Sequence, residues 1–485
     1  MSLTQLSGLD AGFLALETAR APMLVGGISI LDPVAAGGRL DVGRFRALLR
    51  ERLGRAVAFR RRLASLPLDL VRPYWTELDA ASVDLDAHVE PTELPAPGGW
   101  RELAALMAFE LGQPLDRRRP LWKMTFVEGL HLPGYPPGAV AIVATVHHAA
   151  IDGVSGAEIL AALFDVEGVE AAHGGEPAAV VATTIAPVAA DAPAPPGVLE
   201  LLARAGKDLA STPLAGGAIV GRSLLGLAAS AWGRMRSDEP PPLPMSAPRS
   251  VLNRSLSGRI SFAPASISLA RVKAIKTAAD ASVNDVVLTI CSGALRGWLD
   301  ERGELPAESL VAMVPVSVRA SDERSQAGNL VSAMLVQLAT DEADPKARLH
   351  RVRDAARGSK VAHHAVGART LLQSSELVPF ALAGLGAQLY SRLALAERHR
   401  PFFNVVITNV PGPPRPLRVG GAPLLAHFGS APLVDGLGLV LTIMSYAGTL
   451  AVGVTADHAV MPEAAELAAR IEQAVDELER ATRAT

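Results

Sequence analysis

Residues 139–146 form an apolar run without a single charge, and it ends on two adjacent histidines, His147 and His148. Asp152 and Gly153 follow almost at once, and Ser155 opens an amphipathic stretch, 156–164, with helical spacing. An uncharged run of this length reads as a strand covered on both faces, because a half-exposed strand would alternate. The unit is therefore a buried strand, a loop of ionisable residues and a helix. α/β proteins commonly place their chemistry at such carboxyl ends of strands.

Successive strand residues point to opposite faces. If strand geometry persists, His147 and His148 cannot face one cavity: one reaches the reacting groups while the other packs or holds the loop. No serine or cysteine nucleophile lies inside the motif, so the simplest chemistry is a histidine acting as general base on an incoming hydroxyl. Two roles stay open for Asp152, orienting the base or pairing with a distant arginine to hold the loop. Gly153 permits the tight backbone that a turn into a helix needs. His148 and Asp152 have a ligand-like spacing, but no further cluster of ligand residues accompanies them, and no metal is expected. His363 and His364 lack a following Asp-Gly and read as a solvated helix face.

At 485 residues the chain is too long for one ordinary core, and two domains are expected. A net charge of −3 and a pI near 6.4 argue against a nucleic-acid partner. The single cysteine, Cys291, allows no internal disulfide and favours a cytoplasmic setting. No signal peptide and no membrane span is read from the sequence. The mean hydropathy of +0.26 is high for a soluble chain and fits a large apolar cavity, a greasy surface patch or an Ala/Leu-rich core.

Periodicity places strands at 23–31, 83–89, 123–128, 258–269, 310–318, 330–338 and 403–408, with a hairpin over 437–445 and 449–455. Helices are expected at 40–53, 100–111, 270–279, 344–357 and 462–481. A long apolar helix should run to residue 299, with Asn284 or Asp285 as its N-cap. Gly26-Gly27 suggests a bulge or a close backbone approach. The Ala/Pro-rich composition of 167–196 and the proline-rich 238–248 mark a long crossover. The expected division is 1–166, an N-terminal domain; 167–257, a partly helical crossover; and 258–485, a C-terminal domain. Elements alternate in both halves, so the class is α/β.

H-H-A-A-I-D-G matches the HHxxxDG signature of the CoA-dependent acyltransferase superfamily. The flanking blocks select one branch of it. L-S-G-L-D-A-G-F-L-A-L-E, A-P-M-L-V-G-G at 21–27, F-R-R-R-L, D-L-D-A-H-V, L-P-A-P-G and L-D-R-R-R-P-L-W resemble bacterial wax ester synthase/diacylglycerol acyltransferases. So do V-N-D-V-V-L at 283–288, P-V-S-V-R at 315–319, Gly328-Asn329, N-V-P-G-P at 409–413 and D-H-A-V-M-P at 457–462. Thr408 stands where the family usually has serine.

This resemblance implies two chloramphenicol-acetyltransferase-like domains with an active-site tunnel between them. It implies a long-chain acyl-CoA:alcohol O-acyltransferase making triacylglycerol from diacylglycerol, wax ester from a long-chain fatty alcohol, or both. His148 would be the general base, His147 and Gly153 would support the loop, and Asp152 would make a structural salt bridge, with Arg319 as candidate partner. Asn284 and Asp285 are family-marked and stand either near the site or merely at the helix cap. Pro120, Leu121, Trp122, Asn409, Pro411 and Gly412 are expected to shape the tunnel or the domain contact. No cofactor is implied, acyl-CoA being a substrate. Peripheral association with a membrane or lipid droplet, through 198–235 or 378–395, follows from substrate solubility, with buried helices as the alternative. A second reading is a condensation-type or polyketide-tailoring enzyme of the same superfamily with a carrier-bound donor, disfavoured because no carrier or adenylation motif is seen. A third is a non-catalytic lipid-binding protein that has kept the fold.

Overall fold

The apolar run becomes β7 (Val140–His147), which lies inside a seven-stranded sheet. In the computed structural model, residues 3–36, 40–54, 56–64, 72–151, 165–166, 242, 245–317, 331–366, 380–413 and 415–483 are described. β7 pairs antiparallel with β2 (Leu24–Leu31), from Leu24 opposite His147 to Leu31 opposite Val140. On its other edge lies β6 (Trp122–Glu128), with β5 (Val89–Glu93) parallel beyond it. Past β2 come β14 (Ala422–Ser430), β13 (Leu417–Val419) and β8 (Asp165–Val166). Sheet membership therefore does not follow a boundary at residue 258, since β13 and β14 pair into the first sheet.

Both faces of β7 are covered, which explains why its sequence does not alternate in polarity. Val140, Ile142 and Val146 join the core with Phe45 and Leu49 of α2 (Val42–Leu53). Ala141 and Val143 meet Leu103 and Met107 of α4 (Trp100–Leu111) on the other face. Each of these large side chains contributes about 1.5–3 kcal/mol on burial.

The second sheet runs β11 (Val331–Gln337), β10 (Val311–Ser317), β12 (Val405–Val410), β15 (Leu439–Tyr446), β16 (Thr449–Asp457), β9 (Ile260–Ser268). The helices α6 (Val283–Asp300), α7 (Pro345–Val366) and α9 (Ala464–Arg483) cover it through Leu295, Trp298, Val352, Ile471 and Val475.

The sheets meet where β15 and β16 abut β14. The Thr442 hydroxyl lies 2.6 Å from Gly429 O and 3.1 Å from Gly453 O. A Cβ at Gly453 would sit 1.8 Å from Gly429 O, so only glycine allows this approach. Tyr446 Oη donates to Leu424 O at 3.0 Å and accepts from Leu417 N–H at 2.8 Å. Ala21 and Met23 share a small apolar cluster with Val406 and Val440 of the second sheet.

Two expectations are corrected. Residues 85–88 form a short helix, α3 (Leu85–His88), and the strand begins only at Val89, because the Asp84 side chain accepts from Asp86 and Ala87 N–H. The N-cap of α6 is Ser282, not Asn284 or Asp285. Asp285 closes the capping box from the third helical position, accepting from Ser282 N–H at 2.8 Å. At Gly26 the close-approach reading is met: a Cβ there would lie 2.0 Å from Ala144 O, while the irregular register falls in β14, at Leu424/Ala426.

Candidate active site

β7 ends at His147, and His148–Ala150 tighten into a 3-10 turn, so the histidines part company at the strand end. His147 is buried, and His148 is half-buried. Backbone bonds hold the turn on both sides. His147 N–H donates to Leu121 O at 3.0 Å and His148 N–H to Met23 O at 2.9 Å. Met23 reaches that position with φ of +56°, an uncommon backbone conformation for a non-glycine residue.

The His148 ring stacks on Phe13 of α1 (Gly8–Leu16), with centroids 3.8 Å apart and planes inclined at 27°. Its Nδ1 is sealed from solvent without a hydrogen-bond partner. Burial lowers its pKa to about 4; its own backbone carbonyl opposes the shift, and neighbouring His147 adds to it. At neutral pH the ring is uncharged, so a nitrogen lone pair is free to accept a proton.

His147 is tied differently. Its Nδ1 accepts Ala149 N–H at 3.1 Å, and its Nε2 lies 3.4 Å from Glu17 Oε2. That oxygen also accepts from Arg117 Nη2. Burial raises the Glu17 pKa, but His147 and Arg117 together outweigh it, and the net shift is downward, so the carboxylate is ionised.

The other family-marked residues divide between the two sheets. Leu121 supplies the carbonyl for His147, and Trp122 is buried in the first core. There its Nε1 donates to Phe59 O at 2.9 Å, and His88 stacks on it at 4.2 Å. Pro120 O accepts Trp122 N–H at 2.9 Å. This block braces the histidine strand from inside the first core. Asn409 Nδ2 donates to Asn284 Oδ1 at 3.4 Å, joining β12 to the start of α6. Gly412 N–H donates to Ser445 Oγ at 3.2 Å, and a Cβ there would lie 1.9 Å from Ser445 O. Exposed Pro411 precedes it. Among the described residues, no hydrogen bond, ion pair or ring contact joins Asn284, Asp285 or Asn409 to His148. Asp152, Gly153, the 156–164 segment, Arg319, Gly328-Asn329 and the 198–235 stretch lie outside the described residues.

Phe13, Glu17 and Met23 surround the histidines, and residue chemistry alone did not single them out. The signal was present in L-S-G-L-D-A-G-F-L-A-L-E, but a lone glutamate in an apolar block does not announce a partner over a hundred residues away. A cleft of about 660 Å³, lined by Pro33, Val34, Leu130 and Val140, opens at the other end of β7. At strand rise it is roughly 23 Å from His147, and it takes no part in the histidine chemistry.

A family model for the wax ester synthase/diacylglycerol acyltransferase catalytic domain matches residues 6–287, and one for the C-terminal domain of the same group matches 327–479. A Mycobacterium tuberculosis protein named as a diacylglycerol O-acyltransferase is 36% identical over 481 residues, covering 98% of this chain and 99% of its own. Another from that organism is 33% identical over 488 residues, covering 98% and 90%. The solved wax ester synthase/diacylglycerol acyltransferase of Marinobacter aquaeolei VT8 superposes with a TM-score of 0.66 at 28% identity, covering 99% of this chain and 100% of that one. The first condensation domain of the calcium-dependent antibiotic synthetase, at 17% identity and a TM-score of 0.54, covering 99% and 96%, shares the fold.

Proposed function

The chain belongs to the wax ester synthase/diacylglycerol acyltransferase family, and from that membership we propose that it moves a long-chain acyl group from acyl-CoA to the hydroxyl of a diacylglycerol or a long-chain alcohol, with His148 as general base. The observation that carries this reading is an uncharged, stacked histidine at a strand end, one hydrogen bond from Met23 and hence beside the apolar cluster between the sheets.

His148 Nε2 takes the hydroxyl proton as the alcohol oxygen attacks the thioester carbonyl. The tetrahedral intermediate collapses, the C–S bond breaks, and the imidazolium returns the proton to the CoA thiolate. Ester and CoA leave, and the ring is neutral again. Such proton transfer typically supplies about 10²–10⁴-fold of rate. Asp152 holds the loop after the histidines in this reading through a salt bridge to an arginine, which the family resemblance supports, with Arg319 as the candidate partner.

Peripheral lipid contact is part of the same proposal. Among the described residues no helix is long and apolar enough to cross a membrane. α8 (Phe380–Arg392) lies against α1, with Gly384 close to Ala15 O. Its outer stripe exposes Leu385 and Leu389, continued by Leu393 and by Leu16 of α1, each about half exposed. One helical face of leucines beside the helix that carries Phe13 suits a lipid surface that holds the substrates. Leu385→Asp with Leu389→Asp should reduce flotation with liposomes; unchanged flotation would remove this face from the proposal.

An acceptor panel tests the activity. Palmitoyl-CoA is offered with dioleoylglycerol, hexadecanol or no acceptor, and CoA release and ester formation are both followed. Ester formed in step with CoA from either lipid alcohol supports the assignment. CoA release without ester, or no turnover with either, contradicts it.

A further inference from the structure

Glu17 and Arg117 reach the site from different elements and meet behind the first histidine. Glu17 follows α1, Arg117 lies in the segment before β6, and the Glu17 carboxylate meets both Arg117 and the Nε2 of His147. We propose that Glu17, clamped by Arg117, is a positioning residue for acyl transfer: it holds His147 in the Nε2–H tautomer and so fixes the turn that carries the base. This rests on the reading of His148 as base.

The tautomer follows from what faces each nitrogen. A neutral imidazole has one donor and one acceptor. Ala149 N–H points at Nδ1, so Nδ1 must accept and the proton must sit on Nε2, facing the Glu17 carboxylate. In the other tautomer, two N–H groups would oppose each other at Ala149 and a lone pair would face an anion. Both contacts would be repulsive, so the pair of partners selects one state. The 3.4 Å separation is longer than an ideal hydrogen bond. The attraction is therefore mainly that of a buried anion for a polar N–H.

Arg117 is needed because the Glu17 side chain is only 13% exposed. Burial alone would push the carboxyl towards its neutral form, and the guanidinium opposes that. Ala149 directly follows His148, and His148 N–H is pinned to Met23 O. The turn is thus fixed on both sides of the base, one side by backbone and the other by the His147 ring. Loosening the second point displaces the imidazole, and a shift of about 1 Å in a reacting group costs on the order of 10²-fold in rate.

The test compares Glu17→Ala, Glu17→Gln and Arg117→Ala with wild type, using palmitoyl-CoA and the better acceptor from the panel. Thermal unfolding is measured beside turnover. Imidazole ¹⁵N–¹H spectra of histidine-labelled protein report the tautomer, with His147→Asn to assign the signal. Glu17→Ala should lower kcat about 10–100-fold with KM for acyl-CoA within about threefold. Glu17→Gln should recover only part of that, because its amide oxygen still turns a negative dipole end towards Nε2–H but lacks the full charge of the carboxylate. The His147 signal should be a single Nε2–H form in wild type and Glu17→Gln, and mixed in Glu17→Ala. Arg117→Ala should fall between, with a loss that grows as pH drops and Glu17 protonates. Full kcat in Glu17→Ala, or an unchanged tautomer in it, overturns the proposal. Equal losses in Glu17→Ala and Glu17→Gln, in step with a lower Tm, also overturn it by reducing Glu17 to a structural part. The spectra do not depend on which residue is the base, so they separate failure of this clamp from failure of the assignment of His148.

Discussion

Two histidines in this protein have the same electrostatics and opposite situations. Burial lowers the pKa of His148 and of His427 to about 4 in both cases. His427 lies within β14, opposite Ser29 of β2, whose hydroxyl meets its Nδ1 at 2.9 Å. The strand of Gly27 runs so close that a Cβ there would sit 2.7 Å from the imidazole Cε1. His148 instead stands where a strand has just ended, stacked on one aromatic ring, its Nδ1 without a partner. A low pKa therefore does not identify a base. A neutral ring becomes useful when the backbone stops at it and leaves an edge for a substrate; in the middle of a sheet the same ring is packing material.

The contrast predicts separate phenotypes. His148→Ala should lower kcat by about 10²–10⁴-fold, with Tm within a few degrees of wild type, because the ring is half-buried and makes no side-chain hydrogen bond among the described residues. Steady-state assays beside thermal melts check both halves. His427→Ala should do the reverse. It leaves a cavity and an unpartnered Ser29 hydroxyl, for a stability loss of about 2–4 kcal/mol by denaturant titration, while kcat of the folded enzyme stays within about threefold. If His427→Ala abolishes turnover in well-folded protein, the two rings are not separable in this way.

Acid should act on both at once. Their folded pKa values lie below the usual histidine value near 6.5, so the unfolded chain binds more protons between pH 6.5 and 4. Stability is full above about 6.5 and is lost as pH falls towards 4, at about 2 kcal/mol per pH unit for the pair. His88, lowered chiefly by burial, adds in the same direction. Unfolding free energies at pH 7 and 5 measure the slope, and His427→Ala should reduce it. Gly27→Ala should have the smallest effect, about 1–3 kcal/mol of stability, as the methyl group meets the His427 ring and Phe428 O. A Gly27→Ala variant as stable as wild type would show that β2 and β14 are less tightly apposed.

The sequence made the local parts legible and left the long-range ones hidden. The helix at 100–111 and the strand at 139–146 could be read because their apolar spacing is set by one face or two faces of cover. The loss at 83–89 came from Asp84, whose side chain offers the backbone a helical turn that periodicity cannot register. β14 was not foreseen because its strand identity depends on β2, almost four hundred residues earlier, and its pattern carries a buried histidine among apolar neighbours. At the site, His147 and His148 were visible as a motif, and the expectation that only one of them reaches a reacting group came from the alternation of strand residues. Glu17 was not visible, because a carboxylate gains meaning here only from Arg117 and His147, which the fold alone brings together.

The central claim is that His148 waits as an uncharged base, and the pH dependence of kcat/KM for acyl transfer tests it most directly. With palmitoyl-CoA and the better acceptor, measured between pH 4.5 and 8 within the range where the protein stays folded, the account predicts no acid limb at 6.5. The rate should hold down to about pH 5 and fall only as pH approaches 4. A tenfold fall per unit beginning near pH 6.5 would mean that the base titrates like an exposed histidine, and would contradict the account.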